Sequence, residues 1–378
     1  MGPSDLRISR RGFLKNLSLV AGAATVGGRI NALAASHVPG QAGTGIRTPV
    51  FPKGAIIRTL LKDVPPAALP SGAVLFHEHL SMHYPLTNAL AAKQGAPPPT
   101  HYSDDVELMI AETRAAGKEG VSCIVDGGHP DMDRSLAALK RIALESGVYI
   151  VAGGGYYMQR NYPAQISAKS ADQIADDLVA EAKADRLGAY GEIGQQGGEL
   201  TADEVKVFTA VGKAHVRTGL PIFTHNAYLG TYAVNPPVPR DAALRQLDVL
   251  EAAGARPDRI AIGHVCCLDD PTAEVARQVA KRGAFVGFDR VTIPLLPDSK
   301  RVTMILALLE AGYAGNLLLS SDFSSPRSLK KNGGAGLAQT VTVFGKMLLQ
   351  AGVSQKTLQG ILEDNPRRFL AFVPKTSS

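Results

Sequence analysis

The sequence predicts an α/β protein folded as a (β/α)8 barrel of the TIM type, and three observations carry that expectation. Apolar runs of strand length recur eight times between residues 72 and 322. Segments with helical spacing of apolar residues separate them, which is the pattern of parallel βαβ units. Eight such units in about 250 residues match the size of one closed barrel. An open doubly wound sheet is the alternative packing of the same units.

The first 34 residues stand outside that pattern. Arg10 and Arg11 sit in SRRGFLK (9–15), a Gly/Ala-rich apolar stretch runs from Leu17 to Gly28, and Ala32-Leu33-Ala34 offers small residues for cleavage. The segment resembles a twin-arginine (Tat) export signal. That resemblance implies the export machinery as a partner and a periplasmic or secreted location. The apolar stretch is short of the roughly 20 residues that span a bilayer, and no longer one follows, so no membrane insertion is expected after signal removal. Residues 35–56, rich in Gly, Pro, Thr and Ala, read as a linker, and the barrel domain is expected over 57–373.

Composition bounds the function classes. With 45% hydrophobic and 20% charged residues the chain is that of a soluble globular protein. The net charge of +6 is partly set by Arg7, Arg10, Arg11, Lys15 and Arg29 in the leader. No dense basic run interleaved with aromatics occurs, so nucleic acid is not an expected partner. Three cysteines, Cys123, Cys266 and Cys267, do not make a disulfide framework and read as small buried hydrophobes.

The eight runs are GAVLFHEHL (72–80), VSCIVDGG (121–128), VYIVAGGG (148–155), GAYGEIG (188–194), LPIFTHN (220–226), RIAIGHV (259–265), AFVGFDR (284–290) and NLLLSSD (316–322). Between them, DDVELMIAETRAAGKEG (104–120) and TADEVKVFTAVGKAHVRTG (201–219) show the helical spacing. The latter opens on Thr201 with Glu204 three residues on, a capping box, and stops at Gly219. No GxGxxG opens a helix, and the Gly-rich pieces read as tight turns.

What ends each run carries the chemistry. Successive residues of a strand face opposite ways, so His77 and His79 share one face and Glu78 the other. Glu192 ends the fourth run, His225 the fifth, His264 the sixth and Asp322 the eighth. Singly, each has a plain structural reading as a surface acid, a core histidine or a helix cap. In a barrel, however, all strand C-termini surround one mouth, and imidazoles and carboxylates converging there form a metal site.

These pieces resemble the phosphotriesterase family of the amidohydrolase superfamily over essentially the whole mature length. HEHL (77–80), GEIGQQGGELTADE, AHVRTGLPIFTHN, IGHV, FDR (288–290), LLSSDFS and EDNPRRF (363–369) carry the likeness. The resemblance implies two divalent metal ions, zinc being the expected metal. His77, His79 and Asp322 would hold the more buried ion, and His225 and His264 the more exposed one. The best-known members bridge the ions with a carbamylated lysine, whereas Glu192 stands here, as in the phosphotriesterase homology proteins that share GEIG. Either group offers two oxygens and one negative charge to a pair of cations, but glutamate is shorter.

The resemblance further implies a metal-dependent hydrolase that activates water against a small-molecule phosphotriester, lactone or carboxyl ester, with Asp322 taking the proton. Tyr157 and Arg290 match positions that line the substrate pocket of lactonase-like relatives, and Tyr228, just after THNA, is a further candidate contact. A lactonase with only promiscuous phosphotriesterase activity, a non-catalytic metal-binding barrel, and a homodimer all remain open on the sequence.

Overall fold

A computed structural model describes residues 49–83, 100–228 and 236–375. The expected signal (1–34) and most of the expected linker lie outside the described residues.

Eight strands form the barrel wall: β1 (Ala73–Glu78), β2 (Val121–Asp126), β3 (Tyr149–Ala152), β4 (Tyr190–Gly194), β5 (Ile222–His225), β6 (Ile260–Ile262), β7 (Phe285–Phe288) and β8 (Leu317–Leu319). All neighbouring pairs are parallel, β1–β2–β3 in one ladder and β4 through β8 in another. Backbone bonds join the two ladders at both seams. Gly188 N to Ala152 O (3.0 Å) and Gly191 N to Gly154 O (2.9 Å) connect β3 to β4, and Asp322 N to His77 O (3.3 Å) connects β8 to β1. The two ladders are thus linked at both seams, with the strands in the order of the eight apolar runs.

The interstrand segments are helices, and the first four are each started by a side chain suited to the task. In α1 (Val106–Lys118), Asp105 accepts from Leu108 N, and in α2 (Leu136–Ser146), Ser135 accepts from Ala138 N. Ser170 with Gln173 opens α3 (Ala171–Ala184), and the predicted Thr201–Glu204 capping box opens α4 (Ala202–Thr218). Gly219, at φ +80°, ends α4 as the sequence indicates. Three more, α5 (Ala242–Ala252), α6 (Glu274–Lys281) and α7 (Asp298–Glu310), follow β5, β6 and β7. No helix among the described residues is long and apolar enough to cross a membrane.

Both faces of the strands are buried, which explains the continuous apolar runs. Leu75, Ile124, Ile150, Ile222, Ile260 and Val286 pack under the helices, while Val74, Phe76, Val125, Val151, Phe223 and Leu318 belong to a second cluster that fills the barrel. One departure from strict alternation matters. The β1–β2 register shifts between Leu75 and Glu78. Phe76 thus packs edge-on to Phe223 and Phe369 while the next residue, His77, also lies against Phe223, with ring centroids 5.1 Å apart. The three cysteines are buried and unbridged.

Candidate metal centre

The barrel brings all six predicted ligands to one place, each 5% exposed or less. Their donor atoms fall into two groups that share Glu192: His77, His79, Glu192 and Asp322 in one, and Glu192, His225 and His264 in the other. Glu192 reaches both. Oε1 lies 3.2 Å from His79 Nε2, while Oε2 lies 2.8 Å from His225 Nδ1 and 3.4 Å from both His264 Nε2 and His77 Nε2, so Oε2 sits between the groups. Asp322 Oδ1 closes the first group at 3.1 Å from His79 Nε2. Ligand atoms about 2.0–2.1 Å from a tetrahedral ion sit somewhat over 3 Å from one another, so these spacings are those of a coordination shell.

The outer atoms of the histidines test that fit. Asp289 is fully buried and holds two of them: Oδ2 accepts from His77 Nδ1 (2.9 Å), and Oδ1 accepts from His264 Nδ1 (3.1 Å) and from the His264 backbone N–H (2.7 Å). A proton on each Nδ1 leaves Nε2 of both rings as a lone pair aimed inward, the state a metal ligand needs. His77 Nε2 is buried and has no hydrogen-bond partner among the described residues. His264 Nε2 points at His225 Nδ1 from 2.9 Å. A cation between such atoms satisfies them, and the donor set of imidazoles and carboxylates suits zinc and similar divalent ions.

Local structure fixes the remaining ligands. His264 (φ +58°) and Asp322 (φ +48°) both sit in the left-handed region, which is costly for residues other than glycine. The His264 N–H bond to Asp289 supports the first. Glu78 supports the second, since Oε1 accepts from Ser321 N (2.9 Å) and Oε2 from Ser321 Oγ and Phe323 N (both 2.8 Å), clasping the residues on either side of Asp322. Gly127 is glycine for space: a Cβ there would stand 3.1 Å from His77 Nε2 and 3.2 Å from His79 Cε1.

Burial opposes ionisation of Asp322, but Arg290 and then His79 outweigh it and hold the carboxyl well below the usual range. Burial likewise opposes the charge on Glu192, and His77 and His225 overcome it. For His79 burial works downward, yet Asp322 and Glu192 raise the imidazole to about 9. His225 goes the other way, pushed by burial to about 4 despite the pull of Glu192.

The family model for the phosphotriesterase family matches residues 57–370. The chain belongs to the phosphotriesterase family. It is 30% identical over 310 residues to the phosphotriesterase homology protein of Escherichia coli (strain K12), covering 79% of this chain and 98% of that one. The crystal structure of that protein, complexed with phosphate in its active site, superposes with a TM-score of 0.69 over 80% of this chain and 99% of its own. An N-acetyltaurine hydrolase from Danio rerio is 26% identical, with 84% of this chain and 98% of the relative covered. A resiniferatoxin-binding protein from Rhodobacter sphaeroides superposes with a TM-score of 0.72 at 29% identity, covering 86% and 98%. The chain is therefore a hydrolase on an α/β barrel, from a metal-dependent family.

The three residues expected to touch substrate lie in different settings. Tyr157 is beside the centre, its hydroxyl 3.3 Å from His225 Nδ1 and its ring edge-on to that histidine. Arg290 is buried and donates from Nε to Asp322 Oδ2 at 2.7 Å; the acid next to it in sequence, Asp289, faces the histidines instead. Tyr228 directs its hydroxyl to the start of α5, donating to Arg240 O (2.8 Å) and accepting from Ala243 N (3.1 Å), while its carbonyl accepts from Arg290. Sequence reasoning missed Asp289 and the clasp of Glu78. The FDR motif placed Asp289 at a strand end, but only its distances reveal that one carboxylate serves two histidines.

Proposed function

We propose that this chain is a binuclear metal-dependent hydrolase of a carbonyl-centred small molecule, a lactone, carboxyl ester or N-acyl amine. The observation that carries the reading is Glu192, the one residue shared by both donor groups, whose Oε1 faces His79 and whose Oε2 lies between His77 on one side and His225 and His264 on the other. A carboxylate so placed is suited to bridge two cations. His77, His79 and Asp322 would hold one ion, and His225 and His264 the other. Two divalent ions there would lower the pKa of water and polarise the oxygen of the scissile group.

The chain's own residues supply the rest. Arg290 and His79 keep Asp322 ionised across the physiological range, so a carboxylate oxygen beside the reacting centre is always free of a proton of its own. Asp322 takes the proton of the attacking water and, as a weak base, passes it on to the leaving group. Tyr157 stands where its hydroxyl can meet the substrate oxygen on the His225 side. Arg290 fixes the unshared side of Asp322 and the carbonyl of Tyr228, forming one wall of the mouth.

The N-acetyltaurine hydrolases among the relatives favour a carbonyl centre. A phosphotriester is the second reading, favoured by the phosphate in the active site of the Escherichia coli relative. The twin-arginine leader supports export as a folded, metal-loaded protein, and its cleavage and location are tested by fractionation of producing cells. The decisive experiment for activity measures metal content and screens the zinc-, manganese- and cobalt-loaded protein against lactones, aryl esters, N-acyl amines and paraoxon-like triesters. Two ions per chain with turnover of the carbonyl substrates is expected. A single ion, or no turnover in any class, overturns the proposal.

A further inference from the structure

At the opposite end of the barrel from the metal centre lies a cavity of about 280 Å³. It opens among the segments that lead into β4 and β5 and the segment that follows the last helix. Five cationic side chains border it, Arg58, Lys183, Arg186, Arg217 and Lys375. Two carboxylates are paired with them: Asp63 takes Arg58 (3.3 Å) and Arg186 (2.8 Å), and Asp176 takes Arg217 (2.7 Å). Five charges against two leave three positive charges around one small space. Its floor is apolar, with Val179, Leu220 and Phe372, and the Arg58 guanidinium lies 5.3 Å over the Phe372 ring.

The plain structural reading covers only part of this. Lys183 and Arg217 lie in the last turns of α3 and α4, where cations complement the helix dipole. Arg58, Arg186 and Lys375 are on no helix and converge from three other places in the chain. Arg186 is the most telling. It follows α3 at φ +55°, with Leu187 N bonded back to Ala182 O at 3.1 Å. Glycine is favoured at such a helix end because a side chain there is strained. A strained position thus keeps an arginine, whose side chain remains 42% exposed beside the cavity.

We propose that this cavity is a second ligand site, separate from the metal centre, for a small organic anion that pairs a sulfonate, phosphate or carboxylate head with an apolar body. The head meets the excess positive charge, the exposed part of the Arg186 guanidinium included, and the body covers Leu220 and Phe372. At about 280 Å³ the space is at the low end for small-molecule pockets, which fits a one- or two-ring ligand.

Naphthalene-1-sulfonate is the probe, because a sulfonate is a poor competitor for the metals. Calorimetric titration of the metal-loaded protein is expected to show one saturable site, unchanged when the metals are removed by chelation. Methanesulfonate, with the head but no body, is expected to bind at least about tenfold more weakly. Arg186→Gly separates binding from folding, since glycine relieves the left-handed strain while removing the guanidinium. Its melting temperature should hold or rise while affinity for the probe falls about tenfold, the loss of one charge-assisted bond. Arg217→Ala should weaken the probe in the same direction. No saturation by about 1 mM, or wild-type affinity in both variants, overturns the proposal. So does binding that disappears when the metals are removed.

Discussion

Asp289→Asn tests the centre at the atom that orders it. The asparagine has the same shape but only one acceptor oxygen. That oxygen belongs on the Oδ1 side, where two N–H groups converge, the His264 backbone at 2.7 Å and His264 Nδ1 at 3.1 Å. The NH2 group then faces His77 Nδ1, which lay 2.9 Å from Oδ2. Two donors cannot face each other, so His77 must move its proton to Nε2, the atom aimed at the ions. Loss of an outer partner of a metal-bound histidine costs about 10–100-fold in metal affinity, or roughly 1.4–2.8 kcal/mol. The expectation is asymmetric. The ion held through His77 weakens by that factor, while the ion held through His225 and His264 changes less. Chelator competition on the loaded protein, with metal counted per chain, should show the stoichiometry falling from two towards one as chelator rises. Two ions retained at unchanged affinity would refute the assigned tautomers and the proposed division of ligands.

Other expectations follow from single contacts. Glu78→Gln puts an NH2 among three donors and should cost about 2–4 kcal/mol in unfolding free energy, with turnover falling because Asp322 loses its clasp. Denaturant melts and kinetics on the same preparation measure both. For pH, the folded His79 is raised above its ordinary value of 6.5 to about 9. In protein stripped of metal, its contribution to stability is therefore fully present below about 6.5 and lost as pH rises through about 9. Metal competes with that proton, so chelator titrations from acid to alkaline pH should show affinity rising with pH; a flat profile would count against His79 as a ligand. Thr201→Ala removes the α4 cap and should cost about 1 kcal/mol of stability, read in a denaturant melt, with metal content unchanged.

The barrel was legible because its signals are local. Each strand is buried on both faces and reads as an apolar run, and the helices between carry caps such as Thr201–Glu204 in a few adjacent residues. The six donors were legible because barrel geometry sends every strand end to one mouth, so position in a run stood in for position in space. That logic stops where a residue's role depends on partners from distant parts of the chain. Asp289 adjoins Arg290 in sequence, yet it faces His77 and His264, and Arg290 turns to Asp322. Tyr228 sat in the right place in the sequence, but its hydroxyl completes the start of α5.

The same limit explains why Glu78 went unassigned. Alternation correctly turned it from the histidines' face, but it left open what a fully buried carboxylate would meet on the other side. Burial alone would push Glu78 up, and the bonds from Ser321 and Phe323 only partly restore it, leaving it at about 7. A buried acid of that cost is kept where it fixes something else, and here it fixes the left-handed turn that carries Asp322. HEH in β1 is thus two functions interleaved on one short strand end. The histidines turn to the candidate metal centre from one face, and the glutamate between them holds, from the other, the loop that delivers Asp322 from β8.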